Sequence, residues 1–212
     1  MENRKSIVIY GGSFNPPHNV HFLIAEQVLK QYVEVEKVVF IPVNNKYPKS
    51  GIIENEYRYQ MLKRVIDKKE KFELSDLDMH GEKSVLTINV LEQMEKQYKN
   101  REMWVLVGSD NLKKIHKWYR AEDLVSKYKI LVMERDKDSV EEIIEENELL
   151  KCNKSNIKKL NQNIKSNLSA TYIRSQIEEG KNIREFVPEE VAEYIEQNIL
   201  YRGTECVDNN GW

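Results

Sequence analysis

Four short apolar runs, separated by stretches of helical periodicity, constrain the fold of this chain more than any other feature. Each run is rich in β-branched or aromatic residues and is long enough for one buried strand, at 7–10, 38–41, 103–107 and 130–133. The stretches between them place apolar residues on one helical face, at 22–33, 54–66 and 85–98. Because strands alternate with helices, the sequence predicts an α/β fold with a doubly wound parallel sheet and right-handed crossovers.

The C-terminal third has a different character. A Glu-rich helical stretch at 140–150 leads into a Lys- and Asn-rich segment with a candidate last strand near 157–160. Two further helices are predicted at 169–178 and 188–199, the second opened by Pro188. We therefore expect four segments: an α/β core over 1–165, within it a variable periphery over 137–165, a small helical C-terminal piece over 166–202, and a flexible tail over 203–212.

Composition excludes several classes of protein. The 33 Lys and Arg nearly balance the 35 Asp and Glu, which argues against a general nucleic-acid binder. Cys152 and Cys206 form no C-x-x-C pair, so neither a disulfide framework nor a thiolate metal site is predicted. The unpaired cysteines make a reducing, cytoplasmic setting the simplest expectation. Since no apolar run has membrane-spanning length, no membrane partner is expected. The sequence leaves open whether it forms a homo-oligomer.

The first predicted strand leads into an unusual string, Gly11-Gly12-Ser13-Phe14-Asn15-Pro16-Pro17-His18-Asn19-Val20-His21. A strand that ends in Gly-Gly before a helix places backbone N–H groups and a helix N-terminus at the carboxyl edge of the sheet, where doubly wound folds bind phosphates. His18 and His21 are three residues apart, so both can project from the first helical turn and donate hydrogen bonds to a triphosphate. A Gly-Gly turn alone is a common strand exit, so only the whole string indicates a phosphate-binding site.

The string resembles the signature G-G-[ST]-F-D-P-x-H-x-G-H of the nucleotidyltransferase superfamily, and most closely its nicotinamide and nicotinic acid mononucleotide adenylyltransferases. Ser169-Ala170-Thr171-Tyr172-Ile173-Arg174 resembles the second signature of that family, I-S-S-T-x-x-R. Gly108-Ser109-Asp110 resembles its G-[AS]-D element, and Trp118-Tyr119 resembles the W-Y or W-K pair beside the pyridine ring. The resemblance follows the order of the family's motifs from about residue 6 to 201 and is weakest over 137–165.

This resemblance implies that the 5′-phosphate of a pyridine mononucleotide attacks ATP directly, with Mg²⁺ bound mainly through the ATP phosphates. The implied catalytic residues are His18, His21, Lys49 and Arg174, with Lys46 as the fallback for Lys49. The implied ATP-binding residues are Gly11, Gly12, Ser13, Phe14, His18, His21, Ser169, Thr171 and Arg174. The implied mononucleotide-binding residues are Ser13, Phe14, Thr87, Gly108, Asp110, Trp118 and Tyr119.

Several of these residues also have ordinary structural interpretations. A loop lysine such as Lys49 is by default solvated, and Ser169 could equally be a helix N-cap. Trp118 and Tyr119 could be core aromatics, and Asp110 could only cap the next helix. No His or Cys has a partner at metal-binding spacing, so no protein-built metal site is predicted, and His80 and His116 are expected to be surface or core residues.

Two positions depart from the family signature. Asn15 replaces the usual Asp, which preserves the turn-forming capacity but removes the charge. Val20 replaces Gly, which adds a branched side chain that could crowd a bound adenosine or shift His21. These departures leave open a nucleotide-binding sensor without turnover.

A second alternative is another member of the superfamily, such as a pantetheine-phosphate adenylyltransferase or a cytidylyltransferase. His18 and the segment 169–174 argue against this alternative, because those members resemble the family with a single His in the first motif or a different C-terminal signature. The preference between the nicotinic acid and nicotinamide mononucleotides also stays open, since 87–88 and 118–119 favour the acid, whereas 47–51 and 56–58 look more like dual-specificity relatives.

Overall fold

A six-stranded parallel sheet forms the centre of the computed structural model, which describes residues 5–46, 51–82, 85–135, 138–161 and 168–202. Its strands lie in the order β3-β2-β1-β4-β5-β6, and every neighbouring pair is parallel. The strands are β1 (Ser6–Gly12), β2 (Val35–Pro42), β3 (Phe72–Leu74), β4 (Glu102–Gly108), β5 (Lys129–Met133) and β6 (Ile157–Lys159). The predicted α/β class and the five predicted strands are confirmed.

The strand β3 was not predicted from the sequence. This strand has only three residues, too few to show a period, and it is fixed by long-range packing: the ring of Phe72 contacts that of Phe40 in β2 at a centroid distance of 5.3 Å. Short edge strands of this kind depend on their neighbour more than on their own sequence.

Nine α-helices connect the strands within the described ranges. They are α1 (Asn19–Gln31), α2 (Asn55–Ile66), α3 (Thr87–Gln97), α4 (Ser109–Leu112), α5 (Ala121–Lys127), α6 (Val140–Glu145), α7 (Glu148–Cys152), α8 (Ala170–Glu178) and α9 (Glu189–Gln197). The stretch 140–150 is two helices instead of the single one predicted, because the side chain of Asn147 accepts a hydrogen bond from the Leu150 N–H and starts a new helix. No helix in the described ranges is both long and apolar enough to span a membrane.

The two faces of the sheet are buried in two separate apolar clusters. Along β1, Val8 and Tyr10 belong to one cluster, whereas Ile7 and Ile9 belong to the other. This alternation follows from the two-residue period of a strand, and it requires helices on both faces. The C-terminal helices α8 and α9 contribute to the first cluster, for example through Ile173 and Val191, so they share a core with β1. The tail predicted over 203–212 lies outside the described residues.

The turn after β1 is built around a buried aromatic side chain. Phe14 is 1% exposed, has a left-handed backbone φ of 43°, and contacts Tyr10 edge to face at 5.5 Å. Its ring lies directly against Gly12, where a Cβ atom would come within 3.0 Å of the ring. At Gly11, by contrast, a Cβ atom would meet nothing within 4 Å. The ring of Phe14 therefore requires a glycine at position 12 but not at position 11.

We predict that Gly12→Ala lowers the free energy of unfolding by about 1–3 kcal/mol, the usual range for overpacking against a rigid buried group. The matched variant Gly11→Ala should leave stability unchanged or slightly raised, because alanine restricts the unfolded chain more than glycine does. Urea unfolding of both variants provides the measurement. Equal losses in the two variants would contradict this account of the turn.

Candidate active site

A large cleft opens at the carboxyl edge of the sheet, with a volume of about 1690 Å³. This exceeds the roughly 300–1,000 Å³ typical of a pocket for one small ligand, so there is room for two nucleotides. The cleft is lined by every site residue predicted within the described ranges: Gly11, Gly12, Ser13, Phe14, His18, His21, Thr87, Gly108, Asp110, Trp118, Tyr119, Ser169, Thr171 and Arg174. Lys49 lies outside the described residues, whereas its fallback Lys46 lines the cleft.

The two histidines form a stacked pair at the start of α1. His18 is the N-cap of the helix, and its ring lies 3.6 Å from that of His21, centroid to centroid, with 26° between the planes. The backbone N–H of His18 donates to Nδ1 of His21 at 3.1 Å. Because this Nδ1 accepts a hydrogen bond, the proton of a neutral His21 ring is on Nε2. His21 is thereby held as an Nε2–H donor at the cleft.

His18 is held in its neutral form. Its side chain is 6% exposed, and burial, together with the nearby positive charge of Arg135, lowers its pKa from 6.5 to about 4. Its Nδ1 is buried without a hydrogen-bond partner among the described residues. Near neutral pH, the His18 ring at the cleft is therefore uncharged. The sequence alone could not show the charge state of His18.

Arg174 is fixed by contacts on two sides. Its guanidinium donates to the backbone oxygen of Asn15 at 2.9 Å and to Oγ1 of Thr171 at 3.3 Å. Ser169 is the N-cap of α8, since its hydroxyl accepts from the Tyr172 N–H at 3.1 Å. The structural interpretation of Ser169 is thus confirmed. Residues 169–171 line the cleft, so the N-terminus of α8 and the positive end of its dipole lie at the cleft.

The opposite side of the cleft joins an aromatic face to a helix N-terminus. Trp118 is partly buried and packs against the second apolar cluster while lining the cleft, and Tyr119 is 58% exposed. Thr87 is the first residue of α3, whose first turn contains no acidic side chain. The approach to this helix is anchored by Asp78, a buried carboxylate that accepts from the N–H of Val85 and, at 3.4 Å, from that of Asn44.

Asp110 lies at the start of α4 in contact with an arginine that the sequence analysis missed. Its Oδ1 is 3.6 Å from Nε of Arg135, and a Cβ atom at Gly108 would overlap that carboxylate. Arg135 follows β5 at the same sheet edge and lines the cleft. Its position directly after a predicted buried strand is the signal that could have identified it. The buried Asp78 lies in no recognisable motif. Arg58 lies in the stretch 56–58, but its burial and its bond to the Ser13 carbonyl are visible only in the fold.

The two departures from the signature occupy packed positions. Val20 lines the cleft and packs against the first apolar cluster, in which Phe14 also lies. Asn15 is 2% exposed, and its side-chain amide donates to the backbone oxygen of Gly51 at 2.6 Å. Asn15 is therefore a structural anchor of the turn, and Val20 combines core packing with a place on the cleft wall.

A doubly wound parallel sheet with its cleft at the carboxyl edge is the architecture of the nucleotide-binding α/β proteins. The cytidylyltransferase-like family model matches residues 9–176. Two curated relatives, both named "Probable nicotinate-nucleotide adenylyltransferase", come from Lachnoclostridium phytofermentans and Caldicellulosiruptor saccharolyticus. The first is 32% identical over 93% of this chain and 99% of its own length, and the second is 35% identical over 92% and 98%.

The chain belongs to the cytidylyltransferase-like family and, within it, to the nicotinate-nucleotide adenylyltransferases. Among solved structures, the nicotinic acid mononucleotide adenylyltransferase of Plasmodium falciparum, complexed with NaAD, superposes with a TM-score of 0.76. It is 22% identical and the match covers 93% of this chain and 97% of that one, so it shows that the two share a fold.

The lowered pKa of His18 predicts a specific dependence of stability on pH. Between about 4 and 6.5, the unfolded chain binds a proton at this ring that the folded chain does not, so stability falls as the pH is lowered through that window. We expect protonation of this ring to lower the free energy of unfolding by on the order of 2 kcal/mol between pH 7 and pH 5. Urea unfolding at both pH values should show a smaller loss in His18→Gln than in the wild type. Identical losses would show that His18 titrates normally.

Proposed function

We propose that this protein transfers the adenylyl group of ATP to a pyridine mononucleotide, giving the dinucleotide and pyrophosphate in NAD biosynthesis. The observation that carries the proposal is the pairing of two unlike sites in one cleft. On one side are the turn after β1, the histidine pair and Arg174, which suit a triphosphate. On the other are Trp118 and the N-terminus of α3, which suit a flat ring with a polar substituent. The names of the curated relatives support the same activity.

The proposed reaction is a direct in-line displacement. An oxygen of the mononucleotide 5′-phosphate attacks the α-phosphorus of ATP, the new P–O bond forms as the bond to the β-phosphate oxygen breaks, and pyrophosphate leaves with the electron pair. No protein nucleophile is required. Both reactants are polyanions, so the work of the protein is to hold them together against their repulsion and to stabilise charge that builds up in the transition state.

The side chains of the cleft divide this work. The Nε2–H of His21 would donate a hydrogen bond to a phosphate oxygen, because its Nδ1 already accepts one from the His18 N–H. Arg174 would supply a cation whose direction is set by its bonds to Asn15 and Thr171. Lys46 and Arg135, which also line the cleft, would add positive charge around the phosphates, and Lys49 stays a prediction. Asp110 would accept from ribose hydroxyls.

We also propose Mg²⁺ as the cofactor. The described residues contain no cluster of three or more His, Cys, Asp or Glu side chains that could hold a metal. We therefore propose that the cation is bound mainly by the ATP phosphates and by water, the usual arrangement for Mg²⁺ with nucleotides. When bound, the ion would neutralise part of the triphosphate charge.

The lack of a paired-cysteine motif favours a cytoplasmic setting for the reaction.

The acid form of the mononucleotide suits the geometry better than the amide. The first N–H groups of a helix lack intrahelical partners, and the positive end of the helix dipole favours an anion. The N-terminus of α3 and Trp118 both line the cleft, and the first turn of α3 has no acidic residue. A carboxylate on the pyridine ring would gain from this field, whereas a neutral amide would gain less. We propose a preference of about fivefold in kcat/KM for nicotinic acid mononucleotide, corresponding to the roughly 1 kcal/mol typical of such a contact.

One assay tests the proposed function. ATP and Mg²⁺ are supplied with each mononucleotide in turn, and both pyrophosphate and the dinucleotide are measured. Parallel reactions with pantetheine phosphate, or with CTP as the donor, test the other activities of the superfamily. Product with a pyridine mononucleotide supports the proposal. Nucleotide binding without pyrophosphate release would favour a sensor, and product only in the parallel reactions would favour another transferase.

Replacing His21 tests the histidine pair. His21→Ala should lower kcat by about 100-fold or more, the usual effect of removing one transition-state hydrogen-bond donor, with little effect on folding. His80→Ala is the control, because His80 is exposed and its ring pairs with Asp76 at 2.8 Å outside the cleft. Near-normal turnover of His21→Ala would remove His21 from the mechanism.

Replacing Trp118 tests the assignment of the two sides of the cleft. Trp118→Ala should raise the KM for the mononucleotide about tenfold, because stacking on a flat ring is lost, while the KM for ATP stays within about twofold. Steady-state kinetics with each substrate varied in turn provides the measurement. An equal rise in both KM values would assign Trp118 to packing alone.

A further inference from the structure

Tyr201 lies beyond α9, at the end of the described chain, yet its hydroxyl reaches the phosphate-binding turn. The hydroxyl donates to Oδ1 of Asn15 at 2.9 Å, across 186 residues of sequence. Ile199 and Tyr201 both have left-handed φ angles, of 53° and 61°. Bulky side chains rarely adopt this conformation, and it persists where surrounding contacts hold it in place. The end of the C-terminal segment is therefore held in a specific and disfavoured geometry against the turn.

Asn15 connects this hydroxyl to the segment around Gly51 and to Arg174, which lines the cleft. Its side-chain amide donates to the backbone oxygen of Gly51 at 2.6 Å, and Oδ1 also accepts from the Ile53 N–H at 3.4 Å. Its backbone oxygen accepts from the guanidinium of Arg174 at 2.9 Å. A shift of Asn15 would therefore move both the turn that presents the backbone N–H groups and the arginine that faces them.

The hydroxyl of Tyr201 is kept as a hydrogen-bond donor. Burial raises the pKa of Tyr201, although the charges of Arg174 and Arg58 act in the opposite direction. Arg58 is completely buried and donates to the backbone oxygen of Ser13 at 2.9 Å. Two guanidinium groups thus bind two carbonyl groups of the turn, those of Ser13 and Asn15 on either side of Phe14. Tyr201 lies near both guanidinium groups.

We propose that Tyr201 is a positioning residue for adenylyl transfer: through Asn15 it fixes the phosphate-binding turn and the guanidinium of Arg174 against the triphosphate. This inference rests on the proposed function. It also gives a reason for Asn at position 15. The amide accepts from Tyr201 and donates to Gly51 at the same time, whereas a carboxylate could only accept. In this chain the departure from Asp adds a bond to the segment that follows β2.

The first test is Tyr201→Phe, which removes only the hydroxyl. We expect kcat/KM for ATP to fall about tenfold, the scale of one buried hydrogen bond, with the KM for the mononucleotide within twofold. Tyr194→Phe is the matched control, because Tyr194 lies on α9 and its ring packs against Arg64. The control should retain wild-type kinetics. Thermal unfolding of both variants verifies that they fold.

The second test asks whether Tyr201 acts through Asn15. In an Asn15→Ala background, Tyr201→Phe should have no further effect on kcat/KM for ATP, because the acceptor is already gone. In an Asn15→Asp background the acceptor remains, so Tyr201→Phe should again lower kcat/KM. Additive losses in the Asn15→Ala background would overturn the proposal in favour of an independent packing role.

Wild-type kinetics for Tyr201→Phe would also overturn it, and so would equal losses toward both substrates. The proposed function is tested with the wild-type protein alone. If the wild type turns over and Tyr201→Phe behaves like it, the positioning role fails while the proposed function stands.

Discussion

The turn that follows β1 is the constraint on which the rest of the site depends. Its backbone bends over the buried ring of Phe14, which leaves space only for a glycine at position 12. Arg58 and Arg174 then bind the carbonyl oxygens of Ser13 and Asn15. With its carbonyl groups bound on the protein side and α1 beginning directly after it, the turn can present N–H groups and the histidine pair to a ligand. An apolar core, the buried Arg58 and the partly buried Arg174 thus support what is proposed as a site for a polyanion.

The strand order explains why two unlike sites share one cleft. From β1 the chain runs outward through β2 to β3 and then returns to β4 on the other side of β1. The loops after β1 and β4 therefore diverge, which leaves a crevice at this point of the carboxyl edge. The histidine pair lies on one side of it and Trp118, after β4, on the other. The fold alone brings together what a reaction between two nucleotides requires.

Local patterns were enough to predict most of this architecture. The central strands are recognisable as apolar runs, and the string from Gly11 to His21 predicts the turn and places both histidines on one face at the start of the helix. The stacking of their rings is visible only in the structure. What the sequence could not provide depends on long-range contacts. The strand β3 exists because Phe72 packs on Phe40, and the buried Asp78 anchors the start of α3 from a loop without a motif. The neutral state of His18 depends on burial and on Arg135, which is 117 positions away in sequence.

The same limit applies to Asn15 and Val20, which appear in sequence as defects of a signature. In the structure, Asn15 has partners at Gly51 and Tyr201, and Val20 packs against the core. No inspection of the motif by itself could supply these partners.

The central claim is that one cleft holds ATP and a pyridine mononucleotide in position for direct displacement. A crystal structure with a non-hydrolysable ATP analogue and nicotinic acid mononucleotide tests it most directly. The account predicts the triphosphate at the turn after β1, the pyridine ring on Trp118, and a 5′-phosphate oxygen about 3–3.5 Å from the α-phosphorus, in line with the leaving group. A mononucleotide bound elsewhere, or its phosphate on the same side of the α-phosphorus as the leaving group, would contradict it.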